Sequence, residues 1–318
     1  LKLSNKKLAN QAIKIALLAL AVFLLGQRLV DQSFENVKFL ANGQQWFWAT
    51  LTFSILYFLN ISLDALNWQI VQGLLRQISL KEAFVHNLKC YALAFLTPAN
   101  SGELAARYLV QTEKEHRAKA FFLTTWVHLP KSFAKLSLAL PLSLYLLGTL
   151  GYQTYLPWAI SLGLGLSWLA YFNLEKVLSY FDDKHWRGKS LGKYLVKGRP
   201  NRPEKLKLLL LNAIRFACFS GQMALVLYVL NPQLISFEIL ASLPVYYFLG
   251  ALIPTWAAFD FLIKSVLSLY FFTLFSNQEM LFAVAATLVW VFNIALPALV
   301  GLLKFNPAEL HRLKPKRG

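Results

Sequence analysis

Long apolar stretches alternate along this chain with short polar ones. Runs near 20 residues, almost free of charge, recur at 12–30, 46–66, 120–147, 156–172, 208–230 and 279–303. Each is long enough to cross a hydrocarbon core of about 30 Å as a helix. The pattern predicts six spanning helices. Proline or glycine with a polar cluster separates most of them. Trp46, Trp48, Tyr155 and Trp158 fall near predicted ends, where amphipathic rings settle at a membrane–water boundary.

Two further apolar stretches read differently. Residues 84–110 lie between Arg76/Lys81 and Lys114/Arg117/Lys119, so both flanks belong on the same basic side. The middle is interrupted by Thr97-Pro98-Ala99-Asn100-Ser101-Gly102-Glu103, leaving arms too short to span. This predicts a re-entrant helical hairpin, which survives at membrane depth only when packed in protein or facing a wet cavity. Residues 238–272 repeat the arrangement with flanks that carry no Lys or Arg, broken at Ile253-Pro254-Thr255-Trp256-Ala257-Ala258-Phe259-Asp260. Two short full spans there give the same end topology.

Composition agrees with the pattern. Hydrophobic residues are 57% of 318, charged residues 15%, and mean hydropathy is +0.48. A soluble domain carries roughly 25% charge. The net charge of +17 is placed by topology. Lys2, Lys6, Lys7 and Lys14 open the first run, the 173–207 segment is basic, and the tail runs from Lys304 to Arg317, whereas only Arg28 and Lys38 fall in predicted outer segments. That is the positive-inside distribution, with both termini cytoplasmic, and not a nucleic-acid footprint. The basic start followed by Ile15 to Leu25 resembles a leader, but no small-residue cleavage site follows, so it is read as a retained helix. The 173–207 segment reads as a cytoplasmic linker.

The order is span, span, hairpin, span, and then the same again from the opposite side. The chain therefore reads as an all-α polytopic integral membrane protein built as an inverted repeat, 1–151 and 152–318, the common plan of secondary transporters. The breaks match locally as well. Glu103 precedes Arg107 by four residues, and Asp260 precedes Lys264 by four, which sets acid and base on one helix face.

At these residues the chain resembles the flippase-like membrane region of the lysylphosphatidylglycerol synthases and its stand-alone relatives. The resemblance is carried by Leu59-Asn60 with Asp64 and Trp68, and by Pro98-Ala99-Asn100-Ser101-Gly102-Glu103 with Arg107. It continues with Arg215, Phe219 and Gln222, and with Pro254-Thr255, Asp260 and Lys264. Asp and Lys stand where the family's second element usually has Glu and Arg, and glycines are missing around Phe259 and Leu262. The resemblance implies a lipid-handling fold in a bacterial cytoplasmic membrane. It does not imply lysyl-lipid synthesis, because nothing after Lys304 encodes an aminoacyl-transferase domain.

Charges inside the apolar segments carry the chemistry. Asp64, Lys89, Glu103, Arg107, Lys131, Lys135, Arg215, Asp260 and Lys264 each cost roughly 2.5–3.5 kcal/mol at a bilayer centre. The cationic excess predicts an anionic ligand. Asn100 as N-cap with Glu103 three residues on has capping-box spacing, and a helix N-terminus favours anions. The candidate binding set is Asn100, Glu103, Arg107, Arg215, Asp260 and Lys264. The acid–base pairs also fit a purely structural role. Lys131 and Lys135 fit snorkelling equally well, Asp64 and Trp68 an interfacial position, and His128 beside Pro130 a packing role. Cys90 and Cys218 form no redox or metal spacing, no P-loop, GxSxG or HExxH occurs, and no cofactor or metal is expected.

The expected function is transport or flipping of a phosphate-bearing lipid headgroup between two inverted repeats, without enzymatic chemistry. A small-anion secondary transporter is one alternative. Another is a membrane scaffold subunit for a lipid-modifying enzyme. Expected partners are a phospholipid or other anionic lipid in the surrounding membrane, and a second copy of the chain or such an enzyme.

Overall fold

Helix caps divide the chain where the polar punctuation predicts. In the computed structural model, which describes residues 43–97, 101–111, 114–151, 155–173, 199–253 and 255–305, ten α-helices follow one another. They are α1 (Gly43–Gly73), α2 (Leu80–Leu96), α3 (Ser101–Leu109), α4 (Lys114–Thr149), α5 (Leu156–Phe172), α6 (Arg202–Leu230), α7 (Phe237–Leu252), α8 (Asp260–Phe271), α9 (Glu279–Trp290) and α10 (Leu296–Leu302). Among the described residues 87% are helical and none lies in a strand. Ser79 caps α2 by accepting from Glu82 N–H, and Ser236 caps α7 by accepting from Ile239 N–H. Asn201 and Glu204 close a reciprocal capping box on α6.

Five helical stretches are long and apolar enough to cross a membrane: Gly43–Gly73, Leu123–Thr149, Arg202–Leu230, Ala257–Leu274 and Glu279–Leu302. Four contain or match the expected spans at 46–66, 120–147, 208–230 and 279–303. The expected span 156–172 forms α5, a shorter apolar helix of 17 residues. The stretch Ala257–Leu274, expected as one arm of a hairpin, is itself long enough to span. The expected span 12–30, most of the 173–207 linker and the tail after Phe305 lie outside the described residues.

Both expected breaks are present. α2 ends at Leu96 and α3 begins at Ser101, within the 84–110 stretch; α7 ends at Leu252 and α8 begins at Asp260, within 238–272. At the first tip Thr97 Oγ1 donates to Leu93 O (2.8 Å) and accepts from Gly102 N–H (2.6 Å), so one hydroxyl ties the end of α2 to the first turn of α3. At the second tip Trp290 Nε1 of α9 donates to Ala257 O (3.0 Å).

The packing is reciprocal. α1 lies along α6 at the centre. α2 packs on α10 and α7 on α4, so the first arm of each broken pair leans on the last helix of the other half; α3 then lies on α4 and α8 on α9. Two apolar clusters sit at opposite ends of α6. One gathers Trp68, Val71, Leu123, Trp126 and Leu208; the other gathers Phe216, Met223, Tyr246, Phe272, Phe282 and Val289.

The last helix is not regular. Between α9 and α10, Val291–Ala295 forms a π-turn. Pro297 has no N–H to give the Asn293 carbonyl and its ring crowds that carbonyl, so the turn widens. Beyond it, Gly301 meets α2 so closely that a Cβ there would overlap the Leu88 carbonyl. A Cβ on Gly102 would likewise overlap the Leu93 carbonyl. Gly163 on α5 faces open space. Gly102→Ala and Gly301→Ala are each expected to destabilise by about 1–3 kcal/mol through overpacking. Gly163→Ala should leave the detergent-solubilised protein's thermal midpoint at or slightly above wild type. Equal midpoints for all three variants would disprove the close crossings.

Candidate functional site

α6 opens on a charged turn, Arg202-Pro203-Glu204-Lys205, and carries Asn212, Arg215 and Gln222 between its apolar stretches. Arg215 lies about 20 Å along the helix axis from either end, and the side chains it meets are Asp64 and Asn60 of α1 and Asn212 of its own helix. Its guanidinium pairs with the Asp64 carboxylate of α1, and its Nε donates to Asn60 Oδ1 at 3.2 Å. Asp64 is 4% exposed. It also accepts from Asn87 Nδ2 and Tyr91 OH of α2, at 3.0 Å each, and lies 3.3 Å from Lys131 Nζ of α4. A buried carboxylate is tolerated when its lone pairs are occupied in this way.

Asn87 joins this pair to the first tip. Its NH2 faces Asp64 and its carbonyl accepts from Arg107 Nη1 at 2.7 Å, so opposite charges fix the amide orientation. Arg107, 1% exposed, also donates to Glu103 Oε1 at 3.2 Å, and its guanidinium stacks 3.7 Å over the Trp68 ring. Glu103 Oε2 in turn lies 3.3 Å from His128 Nε2, whose side chain is half exposed. On the other side, Asn60 Nδ2 donates to Asn293 Oδ1 (2.8 Å), and Asn293 Nδ2 donates to Gln222 Oε1 (2.8 Å). One continuous chain of polar contacts thus runs from the π-turn through Arg215 and Asp64 to Glu103 and His128.

A second, smaller group stands at the other tip. Lys264 Nζ pairs with Asp260 at 2.5 Å, and Thr255 Oγ1 donates to the other Asp260 oxygen at 2.9 Å. α4 connects the groups. His128, Lys131 and Lys135 follow at helical spacing and share one face. His128 meets Glu103, Lys131 meets Asp64, and Lys135 lies in the field of Lys264, Lys131, Asp260 and Arg215. Among the described residues Lys135 has no hydrogen bond or ion pair, and Arg107 Nε is buried without a hydrogen bond. The partly exposed side chains of Lys131, Lys264 and His128 leave this face open, whereas Arg107 and Asp64 are sealed.

Of the expected residues, Glu103, Arg107 and Arg215 meet in one network. Asp260 and Lys264 form their own pair, and Asn100 lies outside the described residues. The first-turn N–H of Gly102 is already taken by Thr97 Oγ1. Asp64 and Trp68, expected to lie outside the site, belong to the network, because Arg215 and Arg107 arrive from other helices to meet them. Lys131, expected to snorkel or point inward, points inward. The sequence reading overlooked Asn87, Tyr91 and Asn293, polar residues within apolar helices whose only signal was that position.

Among the described residues no group of three His, Cys, Asp or Glu could hold a metal ion. A groove of about 530 Å³ between α4 and α5 is lined by apolar side chains with Ser137 and Ser161. Its α4 residues Ser137, Leu140, Pro141 and Leu144 lie on the face turned away from Lys131 and Lys135, so it is separate from the charged cluster. In comparisons with known proteins, no family model matches the chain and no curated protein does.

Asp64→Asn leaves Arg215 and Lys131 without their shared counter-charge and is expected to cost about 3–5 kcal/mol. Pairing Asp64→Leu with Arg215→Met should recover part of that loss. A double-mutant cycle on thermal midpoints measures it, and strictly additive losses would show that the two charges do not support each other.

Proposed function

We propose that this protein carries a phosphate-bearing lipid headgroup across a membrane, through the polar layer between its two halves. The observation that supports it most directly is the half-open cationic cluster at mid-length of α6, fed by both halves. Three carboxylates, Asp64, Glu103 and Asp260, face five cations, Arg107, Lys131, Lys135, Arg215 and Lys264. Such an excess in an apolar surround is relieved by an anion. The reciprocal packing supports the inverted-repeat plan, with residues 84–110 and 238–272 as re-entrant pairs and both termini on the basic side. It is the plan implied by the resemblance to the membrane region of lysylphosphatidylglycerol synthases, in a bacterial cytoplasmic membrane.

In this reading the arginines form the frame. Arg107 and Arg215 are committed to Glu103, Asn87, Asp64 and Asn60, while the lysines on the open face meet the headgroup. Tails stay in the bilayer as the headgroup passes. Movement follows the lipid gradient or is coupled to an ion.

Reconstituted vesicles containing a fluorescent anionic phospholipid test this by quenching from outside. Wild-type protein should speed loss of the inner-leaflet signal, and Lys264→Ala should slow it about tenfold, the loss of one charge-assisted contact. Folded wild-type protein that moves none of the common anionic phospholipids would end the proposal. Equal rates for both proteins would remove Lys264 from the site.

A further inference from the structure

We infer that the cluster selects a phosphate monoester carrying two negative charges, and that Lys135 reads the second charge. This deepens the transport reading and rests on it for the lipid nature of the ligand, though not for its charge.

The argument begins with what holds each cation. Arg107 has Glu103, Asn87 and the Trp68 ring; Arg215 and Lys131 share Asp64; Lys264 has Asp260. Lys135 has no such partner among the described residues, and of the charges that act on it most strongly Lys264, Lys131 and Arg215 share its sign while Asp260 opposes it. A partly buried ammonium among cations is unfavourable until an anion arrives. Together the described cluster carries two more cations than carboxylates.

The geometry suits one compact group. Lys131 and Lys135 are four residues apart on α4, so their stems leave one face about 5–6 Å apart and can bracket a phosphate. Lys264 approaches from α8, and Thr255 holds Asp260 in its pair with Lys264. A phosphodiester brings one negative charge and leaves one cation uncompensated. A monoester brings nearly two at neutral pH, having a second pKa of about 6, and its three terminal oxygens can accept from three ammonium groups.

The test is binding to full-length detergent-purified protein at about pH 8, where the monoester is fully ionised. The probes are phosphatidic acid as a lipid monoester, phosphatidylglycerol as a lipid diester and glycerol 3-phosphate as a soluble monoester. Wild type should bind phosphatidic acid about tenfold more tightly than phosphatidylglycerol, the worth of one additional charge-assisted contact. Lys135→Gln should abolish that preference, and Lys135→Arg should retain it, which separates lost charge from lost fold. Glycerol 3-phosphate binding as tightly as phosphatidic acid would keep the dianion site and assign it to soluble phosphomonoesters; weak binding would assign it to lipids. Equal binding of the two lipids by wild type, or an intact preference in Lys135→Gln, overturns the inference. Headgroup preference without vesicle transport would instead remove the transport reading and leave the dianion site standing.

Discussion

The fold depends on a single buried carboxylate. Asp64 is the point where α1, α2, α4 and α6 meet, through Asn87 and Tyr91, Lys131 and Arg215. Asp64, Asn87 and Arg215 are buried away from water, so each accounts for the others. Asn87 carries the constraint outward, because an amide with its NH2 fixed by a carboxylate presents its carbonyl in one direction, toward Arg107. The first broken helix pair is therefore held from inside by charge and at its tip by the Thr97 hydroxyl.

Close backbone approach is the second constraint. Gly102 lets α3 fold back onto α2, and Gly301 lets α10 reach the same α2 from its other side. α2 is thereby gripped by the start of its own hairpin partner and by the end of the last helix. Small residues serve here because apolar side chains gain little by leaving lipid for protein; packing and hydrogen bonds must hold the helices. The neutral amide contacts between segments fit this account: Asn67 with Asn212, Gln72 with Gln111 just past α3, and Asn60 with Asn293.

Much of this was legible in the sequence, and the limits have physical causes. Length and hydropathy located the long helices because a membrane constrains both. Pro98 and Pro254 marked the breaks because proline disfavours helix in the residue before it. The acid–base spacing located Glu103–Arg107 and Asp260–Lys264 because both pairs are local. The part Asp64 plays in the network was not legible because its partners are remote: Arg215 lies on another helix 151 positions away. Periodicity shows that Lys131 and Lys135 share a face, but not which face turns inward. Asn87 and Asn293 carry no charge to reveal them. What the chain's local pattern could not express was the identity of opposing residues.

The wide turn at Val291–Ala295 has a consequence for how the last helix keeps its bearing. Its buried positions from Val289 onward include Asn293, Pro297 and Gly301 at steps of four, with Ala298 beside Pro297. An ideal α-helix advances about 100° per residue, so three such steps would leave Gly301 rotated about 120° from Val289. One surplus residue taken up in a single π-turn cancels about 100° of that drift. The helix thus holds a straight inward line from the Phe282 stack with Phe272 to the crossing at Leu88. The extra residue acts as a phase corrector, and Asn293, the residue it displaces inward, becomes the amide that ties this helix to Asn60 and Gln222.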